Sequence, residues 1–535
     1  MDNNRTIIAV VLVVLLWSGY SLFFAPQPLP PVVPTENNTK NVALGLQLDL
    51  DKKQVKQEAD ISSAAVLVNS NEKESFLSVS SDYYDIKISS MGATLRSIIL
   101  KQYKETNTAG SPPFKLLDVD SFALSTLKTT GSGGLYLPAN LNYKIIEDKD
   151  FIEIKNENVT VSFVASINGL TVVKKYTFHP SSYYFDLNIQ LINDYDRSVS
   201  GHLDLSLVTP WNKDDKSRMY TFVGPVTFDG EDLAEDKPAN LEKSPKIYKD
   251  NFVWSGYMSK YFLSVINPKE PSDQLFISAG DGFVKNTFTS PNISLEKDQK
   301  TSFEYTAYFG PKQDEYLTAS GHQFDKAINY GFFQPISKPL MVVLKFFYGF
   351  IGNYGFAIIL LTVCIKLIFW PLTQKSYKSM KGMQKLQPEM KKMREKYGKD
   401  KQKLNQEMMS FYKENKVNPM GGCLPMVIQI PVFFALYRVL LGSIELRHAP
   451  FMLWITDLSA KDPYYVTPLI MGVTMFLQQK MTPTNMDPTQ AKIMLMMPVV
   501  FTFMFLNFPA GLVLYWLTNN LLTILQQYLI KRQPD

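Results

Sequence analysis

Cysteine is almost missing from this chain. Two occur in 535 residues, Cys364 and Cys423, and both lie within long apolar stretches. That count excludes a disulfide framework and a CxxC site. The four histidines, His179, His202, His322 and His448, are scattered and have no partner at ligand spacing, so no metal is expected. No Walker motif, glycine-rich phosphate loop, HExxH or nucleophile elbow is present, and an ATPase or protease has no residues to stand on. No cofactor is expected. Negative charge is absent where it would be most telling. The apolar stretches beyond residue 350 contain no Asp or Glu, and Asp457 and Asp462 fall in the loop between two of them. An ion-coupled transporter usually needs an intramembrane carboxylate or a broken-helix ion site.

The hydrophobic fraction of 45% is ordinary, but its distribution is not. Apolar runs cluster at the N-terminus and after residue 340, and the middle is polar and strand-like. This pattern predicts a membrane protein with a large soluble insert. A first span is expected within 1–25, with Arg5 ahead of it to hold the N-terminus in the cytoplasm. Segment 26–75 opens with five prolines and then becomes polar. It cannot bury enough apolar area to offset chain entropy, and an extended, disordered tether is expected.

Residues 76–312 read as β-rich. His202-Leu-Asp-Leu-Ser-Leu-Val and Asp186-Leu-Asn-Ile-Gln-Leu alternate apolar and polar residues, and Asn168-Gly169 and Asp281-Gly282 are turn signals. Many short strands with few helix signals favour a sandwich. Its acidic residues form no catalytic pair and read as solvated strand faces. Segment 323–348 is amphipathic and aromatic, and is expected to lie in the outer interface. Five further spans are expected at roughly 350–372, 420–441, 464–480, 493–508 and 510–530. Two of them approach or fall below the ~17-residue minimum for a standard bilayer. Thirteen basic residues crowd 375–416, against Arg447 and Lys461 in the next loop. This bias places the basic loop and the C-terminal tail in the cytoplasm. The basic segment, 375–417, reads as a helical hairpin turning at Gly398-Lys399-Asp400, suited to anionic lipid or RNA-rich partners.

Lys366 breaks the run from 355 to 370, which otherwise reads as a span. A charge at mid-helix costs about 2.5–3.5 kcal/mol. Lys366 lies nine residues from Lys375, or about 13 Å deeper at helical rise. A lysine can snorkel to the surface, but other polar residues cluster with this one. Thr362 shares its face, Gln429 sits in the next span, and Tyr515, Trp516, Asn519, Asn520 and Thr523 sit in the last. Together they point to a hydrated pocket shared by three helices. Thr362 is expected to be wet and Cys364, about 200° away, dry. Met426, Phe433, Met471, Met475, Met504 and Phe505 supply soft apolar walls.

Two stretches carry a family resemblance. Lys416-Val-Asn-Pro-Met-Gly-Gly-Cys-Leu-Pro-Met-Val-Ile-Gln-Ile-Pro-Val-Phe-Phe-Ala-Leu-Tyr and Asn507-Phe-Pro-Ala-Gly-Leu-Val-Leu-Tyr-Trp closely resemble signatures of the YidC family of membrane protein insertases. The resemblance implies an α-helical polytopic inner-membrane protein. It would have six spans, a five-helix core over 349–535 and a periplasmic β-supersandwich. The implied activity is insertion and folding of inner-membrane proteins through a hydrophilic groove, alone or with the Sec translocon, without enzymatic chemistry. Implied partners are nascent inner-membrane proteins, the Sec translocon, membrane lipids, and the ribosome and signal recognition machinery through the basic cytoplasmic loops. Lys366 stands where the family usually has arginine. Thr362, Gln429, Tyr515, Trp516 and Asn519 would line the groove, and Phe433, Met471, Met504 and Phe505 would meet client helices. Trp516 replaces a common second tyrosine, so that hydroxyl is lost. Two other classes keep weight on the residues alone. One is a transporter with a β-rich sensor, and the other is a sugar-acting periplasmic enzyme anchored by helices.

Overall fold

The computed structural model describes residues 73–212, 221–249, 252–398, 400–415, 424–482 and 488–532. The expected N-terminal span, nearly all of the tether, Cys423 and the 416–423 part of the first signature lie outside these residues.

Strands run from Phe76 to Pro311 and form sheets of nine, six and five strands. At the centre of the antiparallel nine-stranded sheet, Tyr184–Asn193 pairs on one side with Lys300–Pro311 and on the other with Leu170–Phe178. The period-two pattern decides which face is buried. Phe185, Leu187, Ile189 and Leu191 point into the core, as do Leu203, Leu205 and Leu207 from the six-stranded sheet. Asn168 and Gly169 both take positive φ, as do Asp281 and Gly282. Each pair closes a two-residue hairpin of the mirror-image type that Asn-Gly and Asp-Gly favour.

Lys174 is completely buried in this core. Its Nζ donates to the carbonyls of Gly92 (3.1 Å), Ala93 (3.0 Å) and Leu127 (2.8 Å). Ala93 and Leu127 are in the left-handed region, at φ 46° and 60°, where a side chain costs roughly 1–2 kcal/mol. An ammonium has one N–H for each carbonyl, so a single side chain fixes both strained loops. Lys174→Met leaves the buried Gly92 and Leu127 carbonyls without a donor, while Ala93 keeps the Tyr176 hydroxyl, at a cost of about 3 kcal/mol. We expect the β-sheet circular dichroism signal of the full-length variant to melt about 10 °C lower. An unchanged melting temperature would show that these carbonyls need no donor.

The helical part begins later than the sequence pattern implies. Phe324–Ala327 and Gly331–Phe333 are 3₁₀ turns, and α1 runs Gln334–Ile351. Pro335 falls in its first turn, where the missing N–H costs nothing, and this sets the start. α2 spans Tyr354–Lys385, with the Asn353 side chain accepting from the N–H groups of Gly355 and Phe356. It continues through Pro371 and absorbs the first part of the expected basic hairpin. The break comes at Leu386, before α3 (Gln387–Tyr397), which has Pro388 in its first turn; α4 (Lys401–Glu414) follows. The remaining helices are α5 (Leu424–Gly442), α6 (Val466–Met481), α7 (Pro488–Phe505) and α8 (Ala510–Arg532). Among the described residues, only α2 is long and apolar enough to cross a membrane on length and hydropathy alone. α6 has 16 residues, or about 24 Å, well short of a ~30 Å hydrocarbon core.

The β domain is tied to the helices by polar contacts. Arg447 Nη2 donates to the carbonyls of Lys104 (2.6 Å) and Glu105 (3.2 Å). Its guanidinium lies over the rings of Phe114, Tyr261 and Phe262. Asn107 donates to Thr456, and Lys345 of α1 pairs with Glu315 and Glu445.

Candidate functional site

α2, α5 and α8 bring the polar residues together. Lys366 Nζ donates to Thr523 Oγ1 at 2.8 Å, and that hydroxyl donates to the Asn519 carbonyl at 2.7 Å. Gln429 Nε2 donates to Asn519 Oδ1 at 2.8 Å and approaches the Tyr515 hydroxyl at 3.4 Å. One connected chain therefore runs from Lys366 to Tyr515 across three helices. Asn519, Thr523 and Gln527 follow at i, i+4 and i+8, so α8 presents a polar stripe. Further along it, Gln527 donates to Tyr377 of α2 and to Thr482.

Beside this chain lies a cleft between α2 and α5. Ile365, Lys366, Phe369, Leu372, Thr373, Ile428 and Gln429 line it. Lys366 is half-buried, whereas Leu367 and Ile368, next along α2, are 62% and 72% exposed. The sequences of α2, α5, α6, α7 and α8 contain no Asp or Glu. The ammonium is thus held by neutral oxygen, with no carboxylate on its own or the packed helices to neutralise it. It stays free to attract an incoming negative group. Charged buried groups normally come paired, so one without a carboxylate partner among the described residues is a candidate site rather than a stabilising contact.

Thr362 departs from expectation. It is 1% exposed, and its hydroxyl donates to the Ile358 carbonyl one turn back at 2.6 Å. It is absent from the cleft wall, and Cys364 is the more accessible of the two. Helix periodicity puts Thr362 on the Lys366 face, but neighbouring helices close over the face at that level. We expect Gln429→Cys, in a background without native cysteines, to react with a water-soluble maleimide at least about ten times faster than Thr362→Cys. Equal rates would place the wet boundary higher than the geometry does.

The apolar residues divide. Phe433 meets the Trp516 ring edge-on at 4.8 Å, and Trp516 packs on Phe505 and Phe501. Phe433 and Trp516 are half-buried and form a wall near Gln429. Phe505 is 1% exposed and supports this wall from behind, and Met471 is completely buried in the helical core. Met504 is 46% exposed on another face and does not join them. Sequence reasoning underrated Thr523, the direct partner of Lys366, and missed the Gln527–Tyr377 contact. The i+4 and i+8 spacing from Asn519 was the available signal for Thr523 and Gln527.

The chain resembles known proteins along its whole length. Residues 77–343 match the family described as YidC periplasmic domain, and residues 346–535 match 60Kd inner membrane protein. The membrane protein insertase YidC of Geobacter sulfurreducens is 44% identical over 99% of this chain and 98% of that protein. That of Geotalea daltonii is 42% identical over 99% and 100%. A crystal structure of an active YidC insertase with its first transmembrane domain resolved covers 86% of this chain and 94% of that one, at 19% identity and a TM-score of 0.36. The β-rich part is the periplasmic domain of these relatives and the helical part is their inner-membrane segment, and the chain belongs to the YidC family of membrane protein insertases.

Proposed function

We propose that this chain inserts inner-membrane proteins by receiving their polar outer segments in the cleft beside Lys366 and releasing their apolar helices sideways past Phe433. The observation that carries this is a mid-helix ammonium whose partner among the described residues is a hydroxyl, in helices devoid of carboxylate. Such a charge lowers the cost of bringing an acidic or polar segment into the membrane. The short α6 narrows the apolar barrier that segment must cross. Burial of the client helix in lipid then drives release, at about 25 cal/mol per Å² of apolar area. No nucleotide enters the cycle.

The topology that fits this mechanism has six spans: one within 1–25, then α2, α5, α6, α7 and α8. Both termini and the α3–α4 hairpin lie in the cytoplasm, and α1 rests in the outer interface. Domain limits follow: tether to 75, periplasmic β domain over 76–312, and insertase core from 349. The basic residues of the hairpin suit the ribosome and signal recognition machinery as well as anionic lipid. The Sec translocon is the expected neighbour for larger clients.

A photo-crosslinker at Phe433 should capture a stalled nascent membrane helix, and one at Met504 should capture it far less. Equal capture at both positions would move the exit path away from the Phe433–Trp516 wall. Capture at neither would return weight to a transporter.

A further inference from the structure

A second charged cavity lies at the other end of the helical core, between the β domain, α1 and the end of α5. It measures about 130 Å³. Glu235, Lys312 and Asp314 of the β-domain side line it, with Lys345 of α1, Arg438 of α5 and Glu445 just beyond. Lys345 is already paired with Glu445 at 2.9 Å and with Glu315 at 3.4 Å. Lys312, Arg438 and Glu235 make no ion pair within 4 Å among the described residues, although they share one void. Burial pushes the Lys312 ammonium down to about 8, and Glu235 pulls it partly back. Glu235 is exposed as a residue, but partial desolvation where it meets the cavity raises its carboxyl, with Lys312 and Arg438 opposing. Opposite charges that face one cavity without touching call for a ligand carrying both signs.

The outside of α5 shows what kind. Ile430, Phe434 and Arg438 follow at i, i+4 and i+8, and therefore stack on one face. Ile430 is 45% exposed and Phe434 36%, and Arg438 is exposed above them. An open apolar track thus leads along the helix to a cation in the cavity wall. α1 adds to it. Met341 and Lys345 line the cavity, and Val342 and Phe346, one position on from each, are 67% and 60% exposed. A free anion or a peptide needs no such track, but a lipid with two acyl chains does.

We propose that this cavity binds the head group of an outer-leaflet zwitterionic phospholipid, with phosphate between Lys312 and Arg438, ammonium toward Glu235, and an acyl chain along Phe434 and Ile430. The bound lipid bridges the periplasmic domain, α1 and α5. It would hold the domain at a fixed height over the membrane, independently of the Arg447 contacts. The inference rests on the topology proposed above, which places these residues at the outer interface.

The test is native mass spectrometry of the full-length protein in a neutral detergent, titrated with phosphatidylethanolamine, glycerophosphoethanolamine or inorganic phosphate. The wild type should retain one phosphatidylethanolamine at least ten-fold more tightly than Lys312→Gln/Arg438→Gln. Lys312→Arg, which keeps the charge, should retain it. Glu235→Gln should lose the preference for phosphatidylethanolamine over phosphatidylglycerol. Equal retention by the double variant and the wild type would overturn the proposal. So would binding of glycerophosphoethanolamine or phosphate as tight as that of the lipid, which would make this a soluble-anion site. Insertion assays on the same preparations separate the two readings. A wild-type protein that inserts normally yet retains no lipid would sink this inference alone, and loss of insertion in Lys366 variants bears only on the cleft.

Discussion

Lys366→Leu should cut insertion of clients with acidic outer segments by at least about ten-fold, and Lys366→Arg should leave it close to wild type. Two unit charges 4 Å apart at an effective dielectric of 20 attract by about 4 kcal/mol. A third of that already amounts to a factor of ten. Arginine keeps the charge at the same depth and can reach the Thr523 hydroxyl, although it differs in shape and hydration. Leucine removes the charge but should not break the fold. Thr523 still donates to the Asn519 carbonyl, and Gln429 still donates to the Asn519 side chain. Thr523→Val separates charge from placement, because the ammonium remains and only its tether is lost. A milder defect than that of the leucine variant is expected there. The measurement is protease protection of newly made clients in a strain depleted of its own insertase, at matched protein levels. Normal insertion of acidic clients by Lys366→Leu would remove the charge from the mechanism. Clients with neutral outer segments should be affected less, and that contrast distinguishes attraction from a general loss of activity.

The parts of the molecule that sequence reading recovered are those fixed by local rules. Alternation in Asp186–Leu191 and His202–Val208 is enforced by a sheet with one buried face, so period two identifies strand and core together. Asn168-Gly169 closes its hairpin because the mirror-image turn needs two positive φ angles. Lys366 stands out because one charge in an apolar helix has few explanations. The misreadings came where neighbours decide. Thr362 lies on the correct face of α2, yet only the packed helices determine whether that face is open at its level. The basic stretch from 375 reads as a hairpin of its own, but the helix that passes through Pro371 runs on to Lys385, as membrane helices often tolerate proline. The basic stretch therefore starts as an extension of α2 rather than as a separate hairpin. Arg447 could not be read at all. Its partners are backbone carbonyls some 340 positions away and rings in the distant β domain, which leave no motif.

Deleting the periplasmic domain should cost little insertion, and deleting α1 should cost most of it. Removing Phe76–Pro311 takes away a unit with its own buried core. On the helical side it uncovers the Arg447 guanidinium and the Thr456 carbonyl, which water can satisfy, and a small apolar set, Leu317, Phe324, Ala327 and Ile444, that packs on the β core. The Lys366–Thr523–Asn519–Gln429 chain shares no residue with it. Removing Gln334–Ile351 does different damage. Ser337 Oγ donates to the Ala435 carbonyl of α5 at 3.1 Å, and Leu344 is completely buried in the helical core. Without α1, α5 loses a packed face at the height of Ala435, within one turn of Phe433 and less than two from Gln429. Loss of one buried leucine alone costs about 2–5 kcal/mol, and the whole contact more. Complementation of a depletion strain by the two deletions decides the matter, with both proteins checked for accumulation in the membrane. Growth with the β-domain deletion and none with the α1 deletion is the expected pair. Failure of the β-domain deletion at normal protein levels would place an essential step in the periplasm. Full activity without α1 would mean that α5 holds Gln429 and Phe433 in place by its contacts with α2 and α8 alone.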